Sequence, residues 1–135
     1  MPILSVLVSG EASVERSEAI AAALTALTAD ILHKDARLTS VAVQYIRAEH
    51  WVVGGSSLAT QRKASFFLDV RVTQATNTRD EKTRYIAAVF ARMSELLGAL
   101  HEASYVHVQD VPADAWGYGG RTQAQRRAAT AAIAA

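Results

Sequence analysis

The stretch VAVQYIRAEHWVVGG (41–55) returns 65 residues later as VHVQDVPADAWGYGG (106–120), with no gap between the two copies. Seven of the fifteen positions are identical, and they include the tryptophan and the two glycines that close each stretch. Chance is a poor explanation for a match of this length. The repeat therefore indicates that the 135-residue chain holds two copies of one unit of about 65 residues.

The first copy has the pattern of a strand, a helix and a second strand. Residues 2–8 form a short, apolar and partly β-branched run, which is typical of a strand. Apolar residues then recur at helical spacing from Ser13 to about His33, and 39–46 again has the pattern of a strand. This order predicts one β-α-β unit, in which the two strands are parallel.

The second copy repeats this order. Strand patterns occupy 65–72 and 104–111. The helix between them is predicted to start at Thr78, which together with Glu81 has the spacing of a capping box. The predicted class is α/β, with two tandem β-α-β units forming a four-stranded sheet that carries two helices on one face. The expected boundaries are a single domain over 1–135, with units at about 2–55 and 65–120 and a C-terminal helical tail at 121–135.

Alternation along the strands gives the predicted sheet a second face of mixed character. The polar and charged side chains expected on that face are Gln44, Asp69, Arg71, His107 and Gln109. Such a face is either half exposed to water or packed against copies of the same sheet around a partly polar centre.

Composition argues against several classes of function. The formal net charge of +1 lacks the basic excess of a nucleic-acid-binding protein. The chain has no cysteine, so disulfide and thiolate chemistry are excluded and a reducing compartment is favoured. The first apolar run is too short for a signal peptide, and no run approaches the roughly 20 residues of a membrane span. We therefore expect a cytoplasmic protein without nucleic-acid or membrane partners.

Pro2 at the head of a strand, the two β-α-β units and the two Gly-Gly turns together resemble the tautomerase superfamily. The segment LTSV (38–41) resembles 4-oxalocrotonate tautomerase, whose chain is about one unit long. The doubled length and GGSS (54–57) resemble the macrophage migration inhibitory factor group, whose chains hold two fused units. The resemblance covers roughly residues 2–120. It implies a homotrimer with the sheets wrapped into a barrel.

Pro2 is the candidate catalytic residue. Methionine before a small residue is usually removed, and removal would leave Pro2 as a secondary amine at the chain terminus. An ordinary α-amino group has a pKa of about 7.7–8.0, and burial lowers it, so a neutral amine could serve as general base at pH 7. In the alternative interpretation, Pro2 only starts an edge strand, where its missing N–H has no consequence.

The resemblance implies proton transfer without a cofactor. The reaction would be keto-enol or double-bond tautomerisation of a small 2-oxo or 2-hydroxy-alkenoic acid. Hydration or decarboxylation on the same fold is a less favoured alternative. A non-catalytic ferredoxin-like module for ligand binding or assembly is the alternative from a different class. The four histidines lack a convincing metal-ligand spacing, so no metal is expected.

The carboxylate of such a substrate needs a cation near Pro2. The two arginines that the resemblance would supply are absent, because their positions fall at about Glu11 and Ala42 in the first copy and at about Asn77 and His107 in the second. The usual carboxylate clamp is therefore in doubt.

Other residues could bind the substrate in place of these arginines. The candidates are Lys34, Arg71, His107, Trp116 and Tyr118, with Arg37 competing for the role of Lys34. The resemblance implies that Trp116 and Tyr118 form an apolar wall of a neighbouring subunit's site. Each candidate also has a structural interpretation: a cation at a helix end, an ion pair, an interior histidine, or packing of a turn.

Overall fold

The computed structural model describes residues 2–134. Met1, whose removal the sequence predicts, and Ala135 lie outside the described residues. In chain order the elements are β1 Ile3–Ser9, α1 Val14–Leu32, β2 Ser40–Ile46, β3 Val52–Val53, β4 Ser56–Ser57, α2 Leu58–Gln61, β5 Phe66–Thr73, α3 Arg79–Leu97, β6 Tyr105–Val111, β7 Gly117–Tyr118, β8 Arg121–Thr122 and α4 Gln123–Ala134.

Four strands form the main sheet, in the order β2-β1-β5-β6. The pairs β1–β2 and β5–β6 are parallel, as a β-α-β unit requires. The two units meet in the middle, where β1 and β5 run antiparallel. The α/β class with two tandem β-α-β units is therefore confirmed.

Local signals start both long helices. The Ser13 side chain accepts a hydrogen bond from the backbone N–H of Arg16 and caps α1. Thr78 and Glu81 form the predicted capping box at the start of α3. The hydrogen bonds from Thr78 and Asn77 hold the pKa of the Glu81 carboxyl below its ordinary value, so the box is present at neutral pH.

The core lies between the sheet and the helix pair α1 and α3, which pack against each other. Its largest side chain is Tyr85, which is fully buried and has its hydroxyl 2.8 Å from that of Thr28. The other fully buried hydrophobic residues are Leu4, Val6, Val8, Ile20, Leu24, Leu32, Leu58, Phe66, Leu68, Val70, Val72, Val89 and Met93. No helix in the described part of the chain has both the length and the apolar surface needed to span a bilayer.

The opposite face of the sheet has the mixed character that alternation predicts. Three rows cross it in register, each with one residue from β1, β5 and β6. They are Ile3, Arg71 and Gln109; Ser5, Asp69 and His107; and Leu7, Phe67 and Tyr105. Apolar side chains are exposed there, with Tyr105 65% exposed and Phe67 37% exposed. We call this surface the outer face.

Each unit ends in a small hairpin followed by a helix, and we call residues 51–61 the first corner and 116–126 the second corner. In both hairpins the two glycines have positive φ, which a glycine adopts without strain. The backbone N–H of Leu58 donates to the carbonyl of Trp51 at 2.8 Å, and that of Gln123 donates to the carbonyl of Trp116 at 3.0 Å. The internal repeat is thus reproduced in individual hydrogen bonds.

Candidate active site

Pro2 is buried at the amino end of β1. Its carbonyl accepts a hydrogen bond of 3.3 Å from the backbone N–H of Ser40, which fixes it against the start of β2. A cavity of about 290 Å³ opens beside it, lined by Pro2, Leu38, Ser40, Trp116, Tyr118 and Gln123 among others. We call this space the Pro2 cavity.

The sheet topology explains why the second corner lies at Pro2. Strand β5 is antiparallel to β1, and β6 is parallel to β5. The carboxyl end of β6 therefore lies at the same edge of the sheet as the amino end of β1, and the second corner follows that end.

Trp116 and Tyr118 were expected to form a wall of a neighbouring subunit's site. In the structure both line the cavity beside Pro2 of their own chain. The antiparallel pairing of β1 with β5 accounts for this position. Their role at a neighbouring subunit's site stays a prediction.

The Pro2 cavity also carries hydrogen-bond donors that the sequence did not reveal. Trp116 Nε1 and Gln123 Nε2 are buried, and neither has a hydrogen-bond partner among residues 2–134. A buried donor without a partner costs about 1–3 kcal/mol. Gln123 was overlooked because it opens the Ala-rich tail. Its alignment with Leu58, through the Gly-Gly repeat, is the signal that could have revealed it.

Lys34 lines an adjoining cavity of about 460 Å³, together with Thr76, Arg126 and Arg127. Gln123 lines both this space, which we call the basic cavity, and the Pro2 cavity. The Lys34 ammonium donates a 2.9 Å hydrogen bond to Thr76 Oγ1. Burial lowers the pKa of Lys34, although Glu81 and Asp110 act in the opposite direction.

Arg37, the competitor of Lys34, is turned toward Asp35. Its Nη2 lies 2.9 Å from Asp35 Oδ2, and its side chain is 88% exposed. Its side-chain hydrogen bonds keep the pKa of Asp35 below its ordinary value. Lys34 lines the basic cavity, whereas Arg37 is a lining residue of neither that cavity nor the Pro2 cavity.

Arg126 is a second residue that the sequence interpretation missed. Its guanidinium lies over the Tyr118 ring, 3.8 Å from the ring centroid, and its Nη2 donates to the Tyr118 carbonyl at 3.0 Å. These contacts hold Tyr118 in the wall of the Pro2 cavity. Its Nε is buried and has no partner within the described residues.

Arg71 and His107 lie on the outer face, and neither is among the residues that line the Pro2 cavity of their own chain. His107 Nδ1 is 3.3 Å from Asp69 Oδ1. His107 also lines a cavity of about 730 Å³ toward the other end of β1, with Trp51 and Phe67. That larger cavity is the first-corner counterpart of the Pro2 cavity, and none of the described residues that line it stands at a chain end.

A family model described as tautomerase enzyme matches residues 2–61, from Pro2 to the end of α2. Among solved structures, a native fused 4-OT is 25% identical to this chain. The alignment covers 91% of this chain and 97% of that chain, with a TM-score of 0.79.

Two other solved structures are less similar in sequence and show the fold alone. The F6 fused 4-OT, described as an asymmetric trimer, is 21% identical, with 92% of this chain and 98% of that chain covered and a TM-score of 0.79. A macrophage migration inhibitory factor homologue from Prochlorococcus marinus is 18% identical, with 89% and 97% covered and a TM-score of 0.72. No curated protein matches the sequence.

Proposed function

The chain belongs to the tautomerase superfamily, and from this premise we propose that it is a cofactor-independent tautomerase or isomerase with the Pro2 amine as general base. The observation that carries the proposal is the burial of Pro2 at a cavity lined by two residues, Trp116 and Gln123, that each carry a buried and unpartnered N–H donor. A base that must take a proton from a small acid needs this combination of shielding from water and donors for the substrate oxygens.

The proposed reaction is the interconversion of a 2-hydroxy-alkenoic acid and its 2-oxo form. The neutral Pro2 amine takes the proton from the enol oxygen, and the resulting ammonium returns a proton to carbon. Trp116 and Tyr118 shield the amine from water, and Lys34 contributes positive charge from the basic cavity. Arg71 and His107 act, in this proposal, at contacts between subunits rather than beside Pro2 of their own chain.

The test is a ketonisation assay with the enol of phenylpyruvate and a panel of 2-hydroxy-alkenoic acids. Intact mass first establishes that Met1 has been removed. We expect wild-type protein to accelerate ketonisation above the buffer rate. A processed, folded protein that is inert across the panel would favour the non-catalytic binding module instead.

The proposal includes assembly into a homotrimer through the outer face. Ile3, Phe67 and Tyr105 expose apolar surface on that face, 39%, 37% and 65% respectively. An apolar patch of this kind on a sheet marks an interaction surface. The F6 fused 4-OT is described as a trimer.

Phe67→Glu is expected to dissociate the trimer, because it places a carboxylate in the centre of the buried contact. Light scattering should give three times the 14.5 kDa chain mass for wild type and a single chain mass for the variant. The matched control is Val14→Glu, at a residue 76% exposed at the start of α1. An unchanged mass for Phe67→Glu would show that the outer face is not the interface.

A further inference from the structure

The two corners of the chain differ at one informative position. In the first corner the residue after the hairpin is Leu58, which is fully buried. In the second corner the same position is Gln123, with an amide N–H group that is buried and unpartnered within residues 2–134. Gln123 as a whole is half-buried, so the two positions differ in burial as well as in chemistry.

The rest of the corner is closely reproduced, so the exchange of leucine for glutamine is not part of a general rearrangement. In the first corner Thr60 N–H donates to Ser57 Oγ at 3.1 Å, and in the second Gln125 N–H donates to Thr122 Oγ1 at 3.0 Å. The side chains of Gln61 and Arg126 each donate to a hairpin carbonyl, at 2.8 and 3.0 Å. Equivalent hydrogen bonds therefore surround a leucine in the first corner and a glutamine in the second.

Gln123 lines the Pro2 cavity, and so does Trp116, which carries a second donor. Trp116 Nε1 is also buried without a partner among the described residues, whereas Trp51, its counterpart in the first corner, carries no such orphaned atom. Two orphaned donors on residues that line one cavity are satisfied together by a ligand that brings acceptors only. A carboxylate has two oxygens, and both accept.

We infer that Gln123 Nε2 and Trp116 Nε1 bind the carboxylate of the substrate and take the place of the absent arginine pair. The inference rests on the proposed function, because it names the acid-binding residues of the same site. Both groups donate, so they favour an acid, whose two oxygens accept, over its amide, whose NH2 group donates. The basic cavity, which Gln123 also lines, adds positive charge.

The test measures binding of phenylpyruvate and of its primary amide. In a Trp51→Phe background Trp116 is the single tryptophan, so its fluorescence reports on the Pro2 cavity. In this background Gln123→Leu introduces the residue found in the first corner. It should weaken phenylpyruvate binding about tenfold or more and leave the affinity for the amide within about twofold of that of the Trp51→Phe protein. Gln123→Glu, of matched size, should abolish binding of the acid and retain the amide.

Trp116→Phe, with Trp51→Phe as its matched control, provides an independent kinetic readout. The Trp116 variant should raise KM for the enol acid with little change in kcat, because it removes binding shared by ground state and transition state. The inference would be overturned if both Gln123 variants bound the acid and the amide more weakly to the same extent. It would also be overturned if the Trp51→Phe protein did not bind phenylpyruvate. Binding that behaves as expected without turnover would instead overturn the proposed function alone.

Discussion

Pro2→Ala is expected to lower kcat for enol ketonisation by about a hundredfold, because it keeps a terminal amine but changes its position, and a displacement of about 1 Å in a site can cost that much. Pro2 is buried and held by the hydrogen bond from Ser40, so its nitrogen has one position at the cavity. Alanine keeps a terminal amine but makes it primary instead of secondary, and it removes the pyrrolidine ring that lines the cavity. The measurement is the initial rate with the enol of phenylpyruvate, for proteins whose mass shows that Met1 is gone.

A second variant removes the amine itself. An extra glutamate between Met1 and Pro2 keeps the methionine in place and converts the Pro2 nitrogen into a non-basic amide. This protein should be inactive, while its thermal unfolding should match wild type because the insertion precedes β1. If the insertion variant and Pro2→Ala both turn over like wild type, Pro2 is a strand starter and the binding-module interpretation replaces ours.

The pH dependence of the same assay identifies the base. For wild type, kcat/KM should fall on the acid side as the amine is protonated, at a pKa below the ordinary α-amino range of about 7.7–8.0. The direction follows from the burial of Pro2, which disfavours the charged form. An acid limb at or above that range would indicate an amine that is exposed to water.

The fold was largely predictable because its signals are local and occur twice. Period-2 and period-3.6 patterns give the strands and helices, and the capping box at Thr78 and Glu81 gives the start of α3. The repeat of 41–55 at 106–120 then gives the two units. The periodic patterns and the capping box depend only on neighbours within a few residues, and the repeat is found by comparing the chain with itself.

The site was only partly predictable, because it depends on how the two units meet. Alternation along the strands predicts the outer-face position of Arg71 and His107, but antiparallel pairing of β1 with β5 is what brings the second corner to Pro2. No local pattern encodes that pairing. Arg126 and Gln123 were missed for a different reason: their Ala-rich surroundings indicate a solvent-facing helix, and only comparison with Gln61 and Leu58 of the first corner reveals their roles.

Gly117→Ala is expected to reduce kcat/KM by about a hundredfold or more, because a displacement of about 1 Å in a site can cost that much. A Cβ at Gly117 would overlap the carbonyl of Arg121 across the hairpin and lie 2.7 Å from the Cα of Thr122. The β7–β8 pair must therefore open, and Trp116 and Gln123, which the hairpin joins by a backbone hydrogen bond, must move with it.

The matched control is Val52→Ala, because Val52 holds the equivalent position in the first hairpin and is 59% exposed. It should leave kcat/KM and the melting temperature close to wild type. Circular dichroism should show the sheet and the long helices intact in both variants, since the core lies on other elements. Activity of Gly117→Ala within threefold of wild type would mean that the hairpin does not position the reacting groups. The orphaned donors of Trp116 and Gln123 would then need an explanation other than catalysis at Pro2, because the hairpin that connects them would have moved without a loss of activity.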